Sequence, residues 1–475
     1  MSLALSVVSF FVFFIAVSVE FVRCTENVDA SFGKPLFLTP LINKGQLQKA
    51  RQLSKVPSLV PGENIVSYAG YFTVDAKYNS NLYFWYFPAE QNATEAPVAV
   101  WLQGGPGGSS LYGLFEENGP LKITRSLSLE KRQYYWSKNL NVIYIDNPVG
   151  TGFSFTEDDA GYATNEVEVG QNLYEAVLQF FTMFPELQKN EFYVTGESYA
   201  GHYVPALGHT IHQKNPKAAI KINLAGVAIG DGWVDPVHMM VYDQYLYQHG
   251  FIDNKTQQKM KQMEANAIKL INEKKFHQAN NMWNNVLALL TTAAGNVDIY
   301  DYLVVDGGAD WPDTSMSEYL AKSSVRKSIH VGNLTYHSGT KVYNKLYNDM
   351  LTSVAPWLVE LMENYRVLLY NGQLDIIVAY PLTTNFVKQL KWSGSKAYAN
   401  APRKQWYVGK QLAGYSITVG NFSQVLVRDS GHMVPSQQPR WALDMITKFT
   451  NGIPFDSKPT NSDIVSEKDH RIRLL

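Results

Sequence analysis

Gly196-Glu197-Ser198-Tyr199-Ala200-Gly201 sets a serine between small residues directly after the apolar run Phe192–Val194. A strand, a strained turn and a helix would project such a hydroxyl from the top of a sheet, and small residues two before and two after it leave room for the turn. A serine hydroxyl becomes a nucleophile only with a base to take its proton and a carboxylate to orient that base. Asn371-Gly372-Gln373-Leu374-Asp375 follows the strand-like run Arg366–Tyr370, and Asp429-Ser430-Gly431-His432 follows the run Gln424–Val427. The order Ser198, Asp375, His432 is that of a triad carried on successive strands of an α/β sheet, with all three groups past strand C-termini. Acyl transfer through a serine ester is the chemistry these residues predict.

A second glycine-rich segment, Trp101-Leu102-Gln103-Gly104-Gly105-Pro106-Gly107-Gly108-Ser109-Ser110, also follows an apolar run. No Lys-Ser/Thr pair follows it, which argues against a phosphate-cradling loop. An oxyanion hole fits instead, with one backbone N–H from this loop and one from Tyr199, the residue after the serine.

These groups need a scaffold that brings distant segments to one edge. After Pro61 the chain alternates strand-like and helix-like runs, the pattern of an α/β fold with a mostly parallel central sheet. Ser67–Val74 and Asn81–Phe87 read as an antiparallel hairpin. Pro97–Leu102, Val142–Ile145, Phe192–Val194, Ile222–Ile229, Arg366–Tyr370 and Gln424–Val427 are continuous apolar runs suited to strands buried on both faces. Glu166–Phe184 has helical spacing and the length of a crossover. Asn254–Leu290, rich in Lys, Gln, Asn, Met and Leu, predicts helices, and Thr291–Trp311, with Gly295, Gly307 and Gly308, predicts a loop. The expected organisation is a signal peptide over 1–24, a core over 25–235, a helical insertion or lid over 236–355, a second core segment over 356–455 and a polar tail over 456–475.

Of the 475 residues, 45% are hydrophobic and 17% charged, and 41 basic against 42 acidic residues give a net charge of −1. That balance fits a globular chain and argues against a nucleic-acid partner. Leu3–Val19 is almost wholly apolar, and Val22 and Cys24 suit positions −3 and −1 of a cleavage before Thr25. The alternative is a membrane anchor; with cleavage, no membrane association is expected. Cys24 is the single cysteine, so the mature chain would lack disulfides, which a core of this size can do without. Sequons at Asn92, Asn254, Asn333 and Asn421 predict glycosylation in the secretory pathway.

Together, Trp101–Ser110, Asp146-Asn147-Pro148-Val149-Gly150-Thr151-Gly152-Phe153-Ser154, Gly196–Pro205, Asn371–Asp375 and Gly431–Pro435 resemble the motif set of the serine carboxypeptidase family. Gln103, Gly108 and the run Asn371–Val378 look most like its vitellogenic carboxypeptidase-like branch. The resemblance implies an α/β-hydrolase fold and an exopeptidase that acts on peptide or protein C-termini at acidic pH, without cofactor or metal. It implies Gly105 and Tyr199 as oxyanion-hole donors, and Trp101, Gln103, Gly104, Glu117 and Glu197 as the site for the substrate's terminal carboxylate. It also implies a homodimer in some members, and a destination outside the cell or in the lysosomal or endosomal lumen. Gln103 stands where most members carry Asn, which puts its amide one methylene farther out. An acyltransferase on the same scaffold and a secreted, non-catalytic binding protein are the alternatives; the first is opposed by Glu117 and Glu197, the second by the intact triad.

Overall fold

The computed structural model describes residues 30–305 and 315–457. The expected signal peptide, nearly all of the polar tail, and Gly307, Gly308 and Trp311 lie outside the described residues. Eleven strands form one sheet: β1 (Lys55–Val56), β2 (Ser67–Asp75), β3 (Ser80–Phe87), β4 (Val98–Leu102), β5 (Asn141–Ile145), β6 (Phe192–Glu197), β7 (Leu224–Gly230), β8 (Arg366–Gly372), β9 (Lys404–Val408), β10 (Gln411–Val419) and β11 (Phe422–Val427). Their order is β1-β2-β3-β5-β4-β6-β7-β8-β11-β10-β9. The central six, β5 to β11 in that order, are mutually parallel, and antiparallel strands flank them on both sides.

The continuous apolar runs become these central strands because both faces of the sheet are covered. Along β4, Val98, Val100 and Leu102 face one core while Ala99 and Trp101 face the other, the period-2 division of a pleated strand. Helices α1 (Glu166–Met183), α2 (Ala200–Lys214), α5 (Ala355–Asn364) and α6 (Tyr380–Gln389) contribute to the first core, and α7 (Pro439–Thr450) to the second. Asn165 caps α1 by accepting from the Glu168 N–H at 3.1 Å. The described residues hold no helix long and apolar enough to cross a membrane.

Between β7 and β8 lie α3 (Asn254–Asn272) and α4 (Phe276–Ala293), an antiparallel pair. The sequence predicts helices over Asn254–Leu290, and the break between them comes at Lys274, which takes a left-handed conformation at φ +58°. On α4, Trp283 stacks on Trp233 at 5.0 Å and donates to the Tyr242 hydroxyl, which in turn donates to the Ile377 carbonyl. The pair is thereby fastened to the loops that follow β7 and β8.

The antiparallel pair β9 and β10 was not among the expected strands. Its faces alternate between exposed and buried, so it lacks the continuous apolar run that marks the centre. The seventh strand begins at Leu224, because Ile222 turns to accept from the Leu224 N–H.

Candidate active site

Ser198 follows β6 with φ +63°, the left-handed region that costs a non-glycine residue about 1–2 kcal/mol. The surroundings hold it there: its N–H donates to the Gly230 carbonyl, and its own carbonyl accepts from Gly201 and Trp233. A side chain on Gly196 would come within 2.6 Å of the Leu102 carbonyl and 2.7 Å of the Ala200 Cβ, which is why small residues flank the serine. Helix α2 begins two residues later.

Asp375 and His432 follow β8 and β11, so the parallel order β6-β7-β8-β11 carries Ser198, Asp375 and His432 to one edge. The His432 Nδ1–H donates to Asp375 Oδ2 at 2.9 Å, and the same oxygen accepts from the Val378 N–H at 3.2 Å. Both side chains are buried, and His432 Nε2 has no partner. This pairing fixes the tautomer that leaves Nε2 able to accept a proton. No hydrogen bond joins Nε2 to Ser198 in the free protein, a contact that in serine enzymes commonly tightens only with substrate.

Val297–Val305, within the expected loop, forms a strap that ties the two loops together. The His432 N–H donates to the Tyr300 carbonyl, the Tyr302 N–H to Leu374, and the Ile376 and Ile377 N–H groups to Ile299. The Tyr300 ring packs 5.1 Å from the His432 ring, and Gln437 donates to Asp301.

The glycine-rich loop lies against the serine turn. A Cβ on Gly104 would stand 2.5 Å from the Tyr199 nitrogen and 2.7 Å from the Ser198 Cβ, so only glycine permits this approach. Neither the Gly105 nor the Tyr199 N–H has an acceptor among the described residues, and the two can serve one developing oxyanion. Asp146, just past β5, pins the loop. Its Oδ1 accepts from the Ser109 hydroxyl at 2.6 Å and the Ser110 N–H at 3.0 Å, and its Oδ2 from the Phe153 N–H at 2.8 Å. Burial pushes its carboxyl up to about 6 against these donors. Asp146→Ala is expected to strand three buried donors and to lower unfolding stability by about 3 kcal/mol or more; a urea unfolding difference under about 1 kcal/mol would show that the loop does not depend on this residue.

Beside the serine, the Trp101 indole N–H donates to Gln103 Oε1 at 2.9 Å, and Gln103 Nε2 donates to Glu197 Oε1 at 3.1 Å. The longer glutamine side chain bridges indole and carboxylate. Both oxygens of Glu117 and Oε2 of Glu197 are buried without a donor. Burial raises Glu117 to about 7, and burial together with the Glu117 charge raises Glu197 well above the usual carboxylate range. One proton held between the two would pair Glu197 Oε2 with one of the Glu117 oxygens. A positive charge on His432 would lower Glu117, so the acidic pair and the Asp375–His432 pair face one site. All the proposed site residues are thus brought to this edge. The sequon residues Asn92, Asn254, Asn333 and Asn421 lie elsewhere, each exposed.

A sequence profile of the family described as "Serine carboxypeptidase" matches residues 57–452. A venom serine carboxypeptidase of Apis mellifera is 49% identical over 432 residues, covering 89% of this chain and 92% of that protein. The vitellogenic carboxypeptidase of Aedes aegypti is 46% identical, covering 88% and 90%, and the probable serine carboxypeptidase CPVL of Homo sapiens is 46% identical, covering 89% and 91%. Among solved structures, the prohormone-processing carboxypeptidase KEX1(delta)p of Saccharomyces cerevisiae matches with a TM-score of 0.75 at 24% identity, covering 85% of this chain and 96% of that one. That likeness concerns the α/β-hydrolase fold.

Proposed function

The chain belongs to the serine carboxypeptidase family, and from that premise we propose that Ser198, Asp375 and His432 release C-terminal amino acids through an acyl-enzyme, in an acid-favoured reaction gated by Glu117 and Glu197. The observation that carries the reading is the buried Glu117–Glu197 pair adjoining the serine. A site for a free carboxylate would ordinarily offer cations. Two buried acids can receive an anion only while they hold protons to donate to it.

In the proposed reaction the substrate's terminal carboxylate accepts hydrogen bonds from the protonated pair, from the Gln103 amide, which Trp101 orients, and from the Gly104 backbone. The scissile carbonyl carbon then lies over Ser198. The Ser198 Oγ–carbon bond forms as His432 Nε2 takes the hydroxyl proton, and the Gly105 and Tyr199 N–H groups bind the oxyanion. His432 returns that proton to the leaving nitrogen as the carbon–nitrogen bond breaks, which frees the terminal amino acid. Water, deprotonated by His432, cleaves the ester and restores Ser198.

The neutral acids needed for binding are present below the raised values and lost above them. KM for a peptide with a free C-terminus is therefore expected to rise about ten- to hundred-fold as pH passes upward through about 7. The C-terminal amide of the same peptide should show no such rise. A KM that stays flat for the free acid from acidic to mildly alkaline pH would sink the gating role of the pair. Passage through the secretory pathway belongs to the same proposal, supported by the apolar N-terminal run and the four exposed sequons.

A further inference from the structure

Asp231 follows β7, fully buried and at φ +43°. Its N–H donates to the Tyr370 carbonyl at 2.8 Å. Its Oδ1 accepts from the Gly372 N–H at 2.9 Å and from Asn371 Nδ2 at 3.5 Å. Asp231 is thus bound to the end of the strand that delivers Asp375. Its Oδ2 has no partner, and neither has Asp375 Oδ1, although both are buried. Oxygens of these two carboxyls and a ring nitrogen of His432 all lie within 4.8 Å of one another.

Two carboxylates so close in a dry interior cannot both be ionised. Asp375 already accepts from His432 and Val378 through Oδ2, the arrangement of an anion. The proton falls to Asp231, whose carboxyl is pushed well above the usual range by burial and then by the Asp375 charge. Placed on Oδ2, it would satisfy both orphaned oxygens. We propose that Asp231 is a positioning residue of the catalytic machinery, a neutral carboxyl whose Oδ2–H donates to Asp375 Oδ1 and so fixes the carboxylate that orients His432. The titratable groups that face it are Glu197 and Tyr370, and those that face Asp375 are Tyr242, Tyr245 and Tyr300. Burial raises each of them, so they remain neutral and leave the Asp375 charge to His432.

The inference rests on the role of Ser198, Asp375 and His432 proposed above, and its test avoids the Glu117–Glu197 pair. A fluorophosphonate carries no terminal carboxylate, so its rate of reaction with Ser198 reports the triad alone. Asp231→Asn keeps a donor that cannot ionise; Asp231→Leu keeps the volume and removes the donor. The Asn protein is expected to react within about threefold of the wild-type rate. The Leu protein should react roughly ten- to hundred-fold more slowly. Its acid limb should move up by about half to one pH unit, because Asp375 without its donor holds the imidazolium more tightly. The infrared difference spectrum at neutral pH, wild type minus Asp231→Asn, should show one neutral carboxyl band, since the other buried protonated acids are common to both proteins and cancel. A Leu protein with the wild-type rate and limb, an Asn protein as slow as the Leu protein, or a wild-type-minus-Asn difference spectrum without a neutral carboxyl band would overturn the proposal. If Asp231→Leu does not fold, the infrared comparison decides alone. If the wild type itself fails to react with the fluorophosphonate, the triad reading falls, while the band still reports the state of Asp231.

Discussion

Ser198→Ala is expected to release amino acids from peptide C-termini about a million-fold more slowly than the wild type, because loss of a triad nucleophile removes the covalent route entirely. The fold should tolerate the change. The left-handed conformation at φ +63° is imposed by three backbone hydrogen bonds that involve no side-chain atom of residue 198, and alanine bears the same steric cost there as serine. Glycine does not, so Ser198→Gly should be equally inactive yet more stable by roughly 1 kcal/mol. A hydroxyl held only by backbone constraint, and removable with a gain in stability, is the mark of strain kept for chemistry. Binding should persist in both variants, since Trp101, Gln103, Glu117 and Glu197 are untouched. Peptide affinity by calorimetry, thermal melting and amino-acid release, measured together, check the three parts separately. Residual release above about a thousandth of the wild-type rate in a pure preparation would place the nucleophile elsewhere.

Those constraints explain what could be read in advance. The serine turn was legible because its requirement is local: Gly196 and Ala200 meet each other across the turn itself. The six central strands were legible because burial on both faces removes polar residues from them. Asp231 was not legible. A carboxylate after a strand resembles any turn residue, and its partner Asp375 comes from a strand more than a hundred residues later. The Tyr300 strap was hidden for a different reason. It holds the Asp375 and His432 loops largely through backbone N–H and carbonyl groups, which every sequence possesses. Asp146 lay inside a motif that the family resemblance singled out, yet its work of accepting from Ser109, Ser110 and Phe153 depends on the sheet that sets β4 beside β5.

The same buried acids that would gate binding should also set the stability of the fold against pH. Burial lifts Asp146 and Asp349 to about 6, Glu117 to about 7 and Glu264 to about 8, and drives Glu166, Glu197 and Asp231 well above their ordinary range. Each is protonated in the folded chain at pH values where the unfolded chain has ionised it. The folded state then holds more protons, so raising the pH favours unfolding. Such a group stabilises fully below its unfolded value, near 4, and the advantage is lost as pH rises through the folded value. For fully buried Asp146 and Glu117 this is on the order of 3 kcal/mol each. His202, His330 and His337 oppose them: burial lowers each, His202 to about 4, so their neutral rings lose stability as pH falls below the ordinary histidine range. Asp159, lowered to about 2 by Lys341 and Lys345, is fully exposed and adds little through screened solvent. Seven raised acids against three histidines decide the sign. Melting temperature at a fixed scan rate should fall by roughly five to ten degrees from mildly acidic to mildly alkaline pH. Glu117→Gln, which cannot ionise, should shallow that slope while abolishing the rise of peptide KM through neutrality. A melting temperature that climbs over this range would mean that these carboxyls ionise within the fold. An acid-stable chain would then be the wrong description, and the protonated pair proposed to receive the substrate would lose its physical basis.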